Sequence, residues 1–174
     1  MNKILSIVFC IVLLSCSDKD KNVVRSYWDN GNLKSELRYK DGMLHGDCSW
    51  YFSNGKPDMK AYYNANVMEG EVLRWYENGN LQSRYFIKND QYDSIFELYN
   101  VFGTLVKSEY YKEGVRHGEC KQWYDSGKLF TEGTYKDGMI HGKWMMYYEG
   151  ERSVLLQHTK MGRGYRRDIL LTEL

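Results

Sequence analysis

Residues 39–47 read Tyr-Lys-Asp-Gly-Met-Leu-His-Gly-Asp, and two later stretches follow the same pattern. Residues 111–119 read Tyr-Lys-Glu-Gly-Val-Arg-His-Gly-Glu, and residues 135–143 read Tyr-Lys-Asp-Gly-Met-Ile-His-Gly-Lys. The second and third stretches start 24 residues apart, and the first starts three such periods before the second. A fixed period of this length is the signature of a protein built from structural repeats.

Written in rows of 24 residues, the chain from residue 27 onward gives six repeats, and each repeat opens with Tyr or Trp. The repeats start at Tyr27, Tyr51, Trp75, Tyr99, Trp123 and Tyr147. The fifth position is Gly in the first five repeats, and the sixteenth is Gly, Asn or Asp in all six. These residue types tolerate the positive φ angles of tight turns, so both positions are predicted turns.

The predicted turns alternate 11 and 13 residues apart, so each repeat holds two short strands. Asn30-Gly31 and Asp41-Gly42 are dipeptides typical of hairpin turns with two positive φ angles. No segment has helical periodicity. We therefore predict an all-β fold: a single-layer antiparallel β-hairpin solenoid of about six 24-residue repeats, with about a dozen strands in up-and-down order.

A two-residue turn at residues 41–42 predicts a register that sets Ser35 opposite Cys48 on an apolar face. The same register gives the polar face three charged pairs: Lys60 with Glu71, Glu132 with Lys143, and the unfavourable Glu36 with Asp47. The small residue at the twentieth position falls in mid-strand, where we expect a tyrosine ring to cover the backbone.

The first residues have the composition of an export signal. Lys3 precedes an apolar run, Ile4 to Leu14, that is too short to span a bilayer. The run ends in Leu-Leu-Ser-Cys16, which resembles the lipobox of bacterial lipoproteins and implies cleavage before Cys16 and its acylation. The alternative is an ordinary cleaved signal or an N-terminal anchor, with Cys16 incidental in either case.

Three segments follow from this interpretation. We expect a lipoprotein signal peptide at 1–15, an acylated Cys with a short tether at 16–26, and a repeat domain at 27–174. The expected location is the cell envelope, lipid-anchored to the inner or outer membrane and either periplasmic or surface-exposed.

The three quoted stretches, each followed by aromatic residues, resemble the MORN repeat and more closely its bacterial variant. The resemblance covers residues 27 to about 170. It implies a β-hairpin solenoid and a role in association with protein or lipid rather than in catalysis. Some members of the variant group are described as antitoxins of toxin–antitoxin pairs.

Charge and composition exclude other classes. The chain carries 24 Lys and Arg against 23 Asp and Glu, which gives no basic surface for nucleic acid. Aromatic residues make up 16% of the chain, too many for a disordered protein.

We expect no catalytic residue, metal site or cofactor. The sequence has no phosphate-binding loop or nucleophile elbow, and its carboxylates fall at positions predicted to face solvent. His45 and Cys48 would point to opposite faces of a strand, so they could not share a metal ion. Cys48 and Cys120 lie three repeats apart, too far for a disulfide.

Aromatic residues on the predicted apolar face are the candidate binding surface, because a single-layer sheet leaves this face uncovered. The candidate residues are Trp28, Trp50, Phe52, Tyr76, Tyr124, Trp144 and Tyr148. These rings could form a groove for a partner, or they could pack together and hold adjacent hairpins in place.

The sequence therefore predicts a non-enzymatic envelope lipoprotein with a protein-binding or scaffold surface, an unknown protein partner and membrane contact through its lipid anchor. One alternative is an antitoxin or immunity-type protein that neutralises a toxin. Another is binding to a membrane surface or a glycan through the aromatic rows or a basic C-terminal cluster. That cluster contains Lys160, Arg163, Arg166 and Arg167.

Overall fold

The structure, a computed structural model, describes residues 22–149, 155–161 and 164–170, the last two ranges by their main chain alone. The predicted signal peptide, Cys16 and the side chains of the basic cluster lie outside the described part. Every regular element of the described part is a β-strand. Among these residues there is no helix of the length and apolarity needed to cross a membrane.

The strands form one antiparallel sheet in which nearly every strand pairs with its neighbours in sequence. They are β1 (Val23–Tyr27), β2 (Leu33–Lys40), β3 (Met43–Leu44), β4 (Gly46–Tyr51), β5 (Pro57–Asn64), β6 (Val67–Trp75), β7 (Leu81–Lys88), β8 (Gln91–Tyr99), β9 (Leu105–Lys112), β10 (Val115–Trp123), β11 (Leu129–Lys136), β12 (Met139–Ile140), β13 (Lys143–Met146), β14 (Leu155–Met161) and β15 (Gly164–Leu170). Short β3 and β12 pair with β2 and β11, so 13 strands make the main path. The predicted fold class and up-and-down order are confirmed.

The sheet begins before the predicted domain boundary. β1 starts at Val23 and pairs with β2 through partners such as Arg25 and Glu36. The last residues of the segment predicted as a tether, 23–26, therefore belong to the sheet.

The second turn of each described repeat has two residues with positive φ, as in a type I′ hairpin turn. Asp41 and Gly42 have φ angles of 53° and 78°. Ala65 occupies the equivalent place in the second repeat with a φ of 49°, although alanine disfavours this conformation. The prediction from the Asp-Gly dipeptides is confirmed here.

The first turn is of another kind. The amide of Gly31 donates to the carbonyl of Trp28, and the amide of Trp28 donates to the carbonyl of Asn32. Of the Asn30-Gly31 dipeptide, only Gly31 has a positive φ, of 85°. This is a type I turn followed by a left-handed Gly, which also reverses a hairpin. The prediction of two positive φ angles at Asn30-Gly31 is wrong.

The twentieth position of the repeat is a bulge. Tyr39 pairs with Leu44, whereas Glu36 pairs with Ser49, so residues 45–48 lie opposite only two residues, 37 and 38. The residue at this position has a positive φ in every described repeat: 98° at Gly46, 83° at Gly70, 68° at Ser94, 93° at Gly118 and 75° at Gly142. The backbone conformation, rather than a covering tyrosine ring, therefore explains the small residue.

The bulge corrects the predicted register by two residues. Ser35 lies opposite Trp50 rather than Cys48. The three predicted charged pairs on the polar face are wrong: Lys60 lies opposite Leu73, Glu132 opposite Met145 and Glu36 opposite Ser49. Because side chains alternate with a period of two, a shift by two leaves the strand residues outside the bulge on their predicted faces.

The most buried side chains form one row across the middle of the apolar face, with small residues beside large ones. Cys48 pairs with Ala61, and Cys120 pairs with Gly133. Cys48, Val72 and Cys120 occupy the same position in the first, second and fourth repeats, and all three are fully buried. Both cysteines are free, as their separation predicted. This row is the hydrophobic core of the described part of the sheet.

Candidate functional site

The predicted binding residues fall into two groups. Trp28, Phe52, Tyr76 and Tyr124 follow the ends of strands and lie in first turns, along one long edge of the sheet. The prediction that they lie on the apolar face is wrong: the Trp28 ring contacts Lys34 and the Tyr124 ring contacts Phe130, and both partners lie on the polar face. Three of the four residues donate a hydrogen bond to the main-chain carbonyl that opens the next repeat: Trp28 to Tyr51, Tyr76 to Tyr99 and Tyr124 to Tyr147. These rings are half-buried and hold adjacent hairpins together, one of the two predicted roles.

Trp50 and Trp144 lie on strands instead, on the apolar face. Trp50 packs edge-on against Tyr63, with ring centroids 6.2 Å apart. Trp144 packs edge-on against Tyr135 at 5.4 Å and lies across Gly133, where any Cβ would collide with its ring. A ring therefore does cover a glycine, at the eleventh position of the repeat. Tyr148 follows β13 and is exposed, so the seven residues do not form one continuous groove.

A cluster of four aromatic rings that sequence reasoning missed lies near the middle of the apolar face. Its members are Tyr85, Tyr92, Phe96 and Tyr111, with ring centroids between 5.3 and 6.4 Å apart. Tyr85 lies directly opposite Phe96 across β7 and β8. Tyr92 is 39% exposed, so the cluster reaches the surface. With the bulge included in the register, the sequence would have placed Tyr85 and Phe96 together.

Next to this aromatic cluster lies a buried carboxylate. Glu109 is 2% exposed and pairs in register with Phe96 and Cys120. Its oxygens accept a hydrogen bond from the Tyr111 hydroxyl at 2.8 Å and contact Lys107 Nζ at 3.1 Å and Arg116 Nε at 3.4 Å. The Cys120 thiol lies 3.8 Å away. The expectation that the carboxylates face solvent is therefore wrong for Glu109.

Burial governs the titration of this region. Desolvation, followed by the nearby Glu109 carboxylate, raises the pKa of the Cys120 thiol to about 11. Burial also raises the pKa of Tyr85 and of Tyr111 above the usual value for a phenol. These groups stay protonated and neutral at physiological pH, so they add hydrogen-bond donors but no nucleophile.

The polar face carries further ion pairs. Arg84 Nε contacts Glu97 at 2.9 Å, and the Tyr99 hydroxyl donates to the same carboxylate at 2.9 Å. Glu97 is buried, a second exception to the predicted exposure. Glu36, which the sequence set against Asp47, instead contacts Arg25 at 2.8 Å.

A shallow concavity of about 570 Å³ lies on the polar face between β2 and β6. Its walls include Arg38, Tyr51, Lys60, Tyr62 and Glu71. Charges of both signs line it, so it has no marked preference for an anion or a cation. No group of three His, Cys, Asp or Glu side chains in the described ranges is close enough together to hold a metal ion.

The fold and its surfaces define an open, single-layer β-hairpin repeat protein, a class that binds through extended exposed faces. The family model described as the MORN repeat variant matches residues 22–41, 44–65, 68–89 and 116–137. The chain belongs to this family, whose repeats are used for binding. No curated protein shows a significant match to the chain.

Proposed function

We propose that the protein is a non-enzymatic envelope lipoprotein, anchored through Cys16, whose β-solenoid binds a partner protein on its apolar face. The observation that carries the proposal is the partly exposed aromatic cluster at Tyr85, Tyr92, Phe96 and Tyr111. Rigid aromatic rings held in a packed group are the side chains that contribute most to protein–protein binding energy.

The area of the apolar face suits a protein partner. Thirteen strands at about 4.8 Å spacing span roughly 58 Å, and eight-residue strands add a width of about 26 Å. The resulting area, roughly 1,500 Å², exceeds the roughly 800 Å² that each partner buries in a standard interface. A small ligand would use only a fraction of this surface.

The absence of catalysis is part of the proposal. The Glu109 carboxylate is buried among its own partners, and the neighbouring Cys120 thiol stays protonated because of its raised pKa. Neither group is presented to a substrate in an open cleft. A partner-binding role uses the face without requiring either residue to react.

The two faces offer a matched pair of residues for the test. Tyr92 lies on the apolar face and Tyr62 on the polar face, and their exposures are 39% and 40%. We expect Tyr92→Ser to weaken capture of a partner from envelope extracts by about tenfold or more, with Tyr62→Ser close to wild type. Capture should be read by mass spectrometry, with circular dichroism to check that both variants are folded. Equal losses in the two variants would contradict a site on the apolar face.

The anchor requires a separate experiment, because binding and anchoring can fail independently. Cys16→Ala in the full chain should block incorporation of a labelled fatty acid and release the protein from the membrane fraction. Cys48→Ala serves as the control, since this cysteine is buried in the sheet. A Cys16→Ala protein that stays membrane-bound and is still processed would exclude the lipid anchor.

A further inference from the structure

The first turn of the fourth repeat departs from the other first turns. Repeats 1, 2, 3 and 5 place an aromatic residue second and Asn or Ser fourth, as in Tyr76-Glu77-Asn78-Gly79. The fourth repeat reads Asn100-Val101-Phe102-Gly103, so the aromatic residue and the Asn have exchanged places. The exchange moves the ring from the side of the turn that contacts the next repeat to the tip of the turn.

In the second and third repeats, the side chain of the Asn at the fourth position makes two hydrogen bonds, one within its turn and one to the next repeat. In the third repeat, the side-chain oxygen Oδ1 of Asn78 accepts a hydrogen bond from the main-chain amide of Asn80, with an N···O distance of 2.9 Å. The Asn78 side-chain amide also donates to the carbonyl of Val101 in the next repeat at 2.8 Å. Asn54 makes the same two bonds one repeat earlier.

In the fourth repeat, the side chain of Asn100 makes two corresponding hydrogen bonds from the second position. Its side-chain oxygen accepts the amide proton of Thr104 at 2.9 Å, and its side-chain amide donates to Asp125 of the next repeat at 3.1 Å. The main-chain bonds of the turn are unchanged, with Gly103 donating to Asn100. The fold therefore does not need the side chain at position 102.

Phe102 is 83% exposed, the highest value among the large apolar residues of the described part, and its neighbour Val101 is also exposed. Leaving a phenylalanine in water forfeits roughly 2 kcal/mol of burial energy. In the other turns a polar residue avoids this cost. Aromatic residues such as Phe are enriched at the centres of protein interfaces, so a ring that the turn exposes without needing it is a candidate anchor for another molecule.

The charges around the tip indicate what kind of molecule that is. The adjacent turns carry exposed carboxylates, Glu77 on one side and Asp125 on the other. The lysines at these turns bind main-chain carbonyls instead of the tip: Lys56 Nζ donates to Asn78 at 2.6 Å, and Lys128 Nζ donates to Glu149 at 3.3 Å. An anionic membrane surface would repel these groups, whereas a protein pocket with Lys or Arg at its rim would attract them.

We propose that Phe102 is an anchor residue that inserts into an apolar, basic-rimmed pocket of a partner protein. The inference rests on the proposed function in requiring a protein partner, but it uses the turn edge rather than the apolar face. Val101 extends the apolar contact, and Glu77 and Asp125 meet the rim.

The first experiment identifies what contacts position 102 in the full chain. A photocrosslinking amino acid, benzoylphenylalanine, replaces Phe102 in cells, and in a control it replaces Asn30 at the equivalent turn three repeats away. We expect a crosslink from position 102 alone, to one protein, at a peptide that combines apolar residues with Lys or Arg. A crosslink to phospholipid, to a second copy of this chain or to an acidic peptide would overturn the proposal.

The second experiment measures affinity with the purified protein identified by that crosslink. Phe102→Asn restores the residue of the other turns and should weaken binding by about 30-fold, and Phe102→Leu by less. Glu77→Lys should weaken binding several-fold at low salt, with the difference lost at high salt. Unchanged affinity for Phe102→Asn would refute the anchor.

Two comparisons separate this inference from the proposed function. If Tyr92→Ser releases the partner and Phe102→Asn does not, the result would support binding through the apolar face and refute Phe102 as an anchor residue. The reverse result would support Phe102 as an anchor residue and refute the binding site on the apolar face. Vesicles of phosphatidylethanolamine and phosphatidylglycerol should not bind the chain, and binding that depends on Phe102 would overturn the protein pocket in favour of a membrane.

Discussion

At the scale of single residues, the clearest sign of local strain is Ala65 in the turn between β5 and β6. Its φ of 49° lies in the left-handed region, which costs a non-glycine residue roughly 1 kcal/mol. The equivalent position holds Asp41 in the first repeat and Asn89 in the third, two types that tolerate this conformation better.

Replacing Ala65 should therefore stabilise the protein. We expect Ala65→Gly to raise the free energy of unfolding by about 0.5–1 kcal/mol and the Tm by about 2–4 °C. Ala61→Gly is the matched control, since this buried alanine lies in β5 and the same change should destabilise the protein. Thermal denaturation measures both. A lower Tm for Ala65→Gly would mean that the turn is not strained.

The buried carboxylate makes a second prediction. Glu109→Ala leaves Lys107 and Arg116 without their shared partner and should cost roughly 3 kcal/mol in unfolding free energy. Glu119→Ala is the control, because its carboxylate is mostly exposed beside Lys121 and should contribute less than about 1 kcal/mol. Chemical denaturation compares the two variants. Similar losses would show that Glu109 is not a structural centre.

Cys120 should give stability a dependence on alkaline pH. The folded thiol, with a pKa of about 11, keeps its proton above pH 9.0, the ordinary pKa at which an unfolded thiol ionises. Between these values the unfolded state binds fewer protons, so the free energy of unfolding falls as pH rises.

Cys120→Val tests this dependence, since valine fills the same position at Val72. The variant should lose less stability than wild type when pH is raised from about 8 to about 10, measured by urea denaturation. Parallel losses in the two proteins would assign the alkaline dependence to other groups.

At the scale of strands and turns, the sequence predicts where the turns lie but not where a bulge changes the hydrogen-bond register. Gly at regular spacing predicts a turn or a bulge equally well, because both need a positive φ. The sequence therefore predicts a regular strand at Gly46, where the structure has a bulge, and the predicted register beyond it differs from the observed one by two residues. The side-chain period is also two, so the predicted faces of the strand residues are confirmed although their predicted cross-strand partners are wrong. The aromatic residues that follow the strands, such as Trp28 and Tyr124, lie in turns instead of on the predicted apolar face.

Gly133 shows how one missing side chain positions a candidate residue. The Trp144 ring lies across it, so Gly133→Ala should displace the ring and cost about 1–3 kcal/mol. Tryptophan fluorescence and denaturation follow the change. In a Trp144→Val background the same substitution should cost much less, since the colliding ring is gone. Equal costs in both backgrounds would exclude the ring as the cause.

At the scale of the whole molecule, the described strands pack mainly on their sequence neighbours, so damage should stay local. Val72→Ala removes buried methyl groups from β6 and should cost about 2 kcal/mol. We expect faster hydrogen exchange in β5 to β7 and unchanged exchange in β11 and β13. A uniform increase across all strands would indicate a single cooperative unit.

The repeat pattern predicts the fold well but predicts the candidate binding residues poorly. A 24-residue period averages over repeats, so it emphasises what they share, such as Trp28 and Tyr76, which turn out to connect hairpins. The features that distinguish one repeat, such as Glu109 and Phe102, lie at positions where the pattern fails. The burial of Glu109 depends on its cross-strand partners Phe96 and Cys120, which the sequence assigns correctly only when the bulge is included in the register.

The order of the strands has a consequence for synthesis. Each strand of the main path pairs with the one just completed, across turns of only a few residues. A growing or translocating chain can therefore add one hairpin at a time onto an existing edge, without waiting for its C-terminal end. Until the last hairpin joins, the newest strand is an open edge at which a second chain could pair. Rapid, local closure of the two turns in each repeat keeps that interval short.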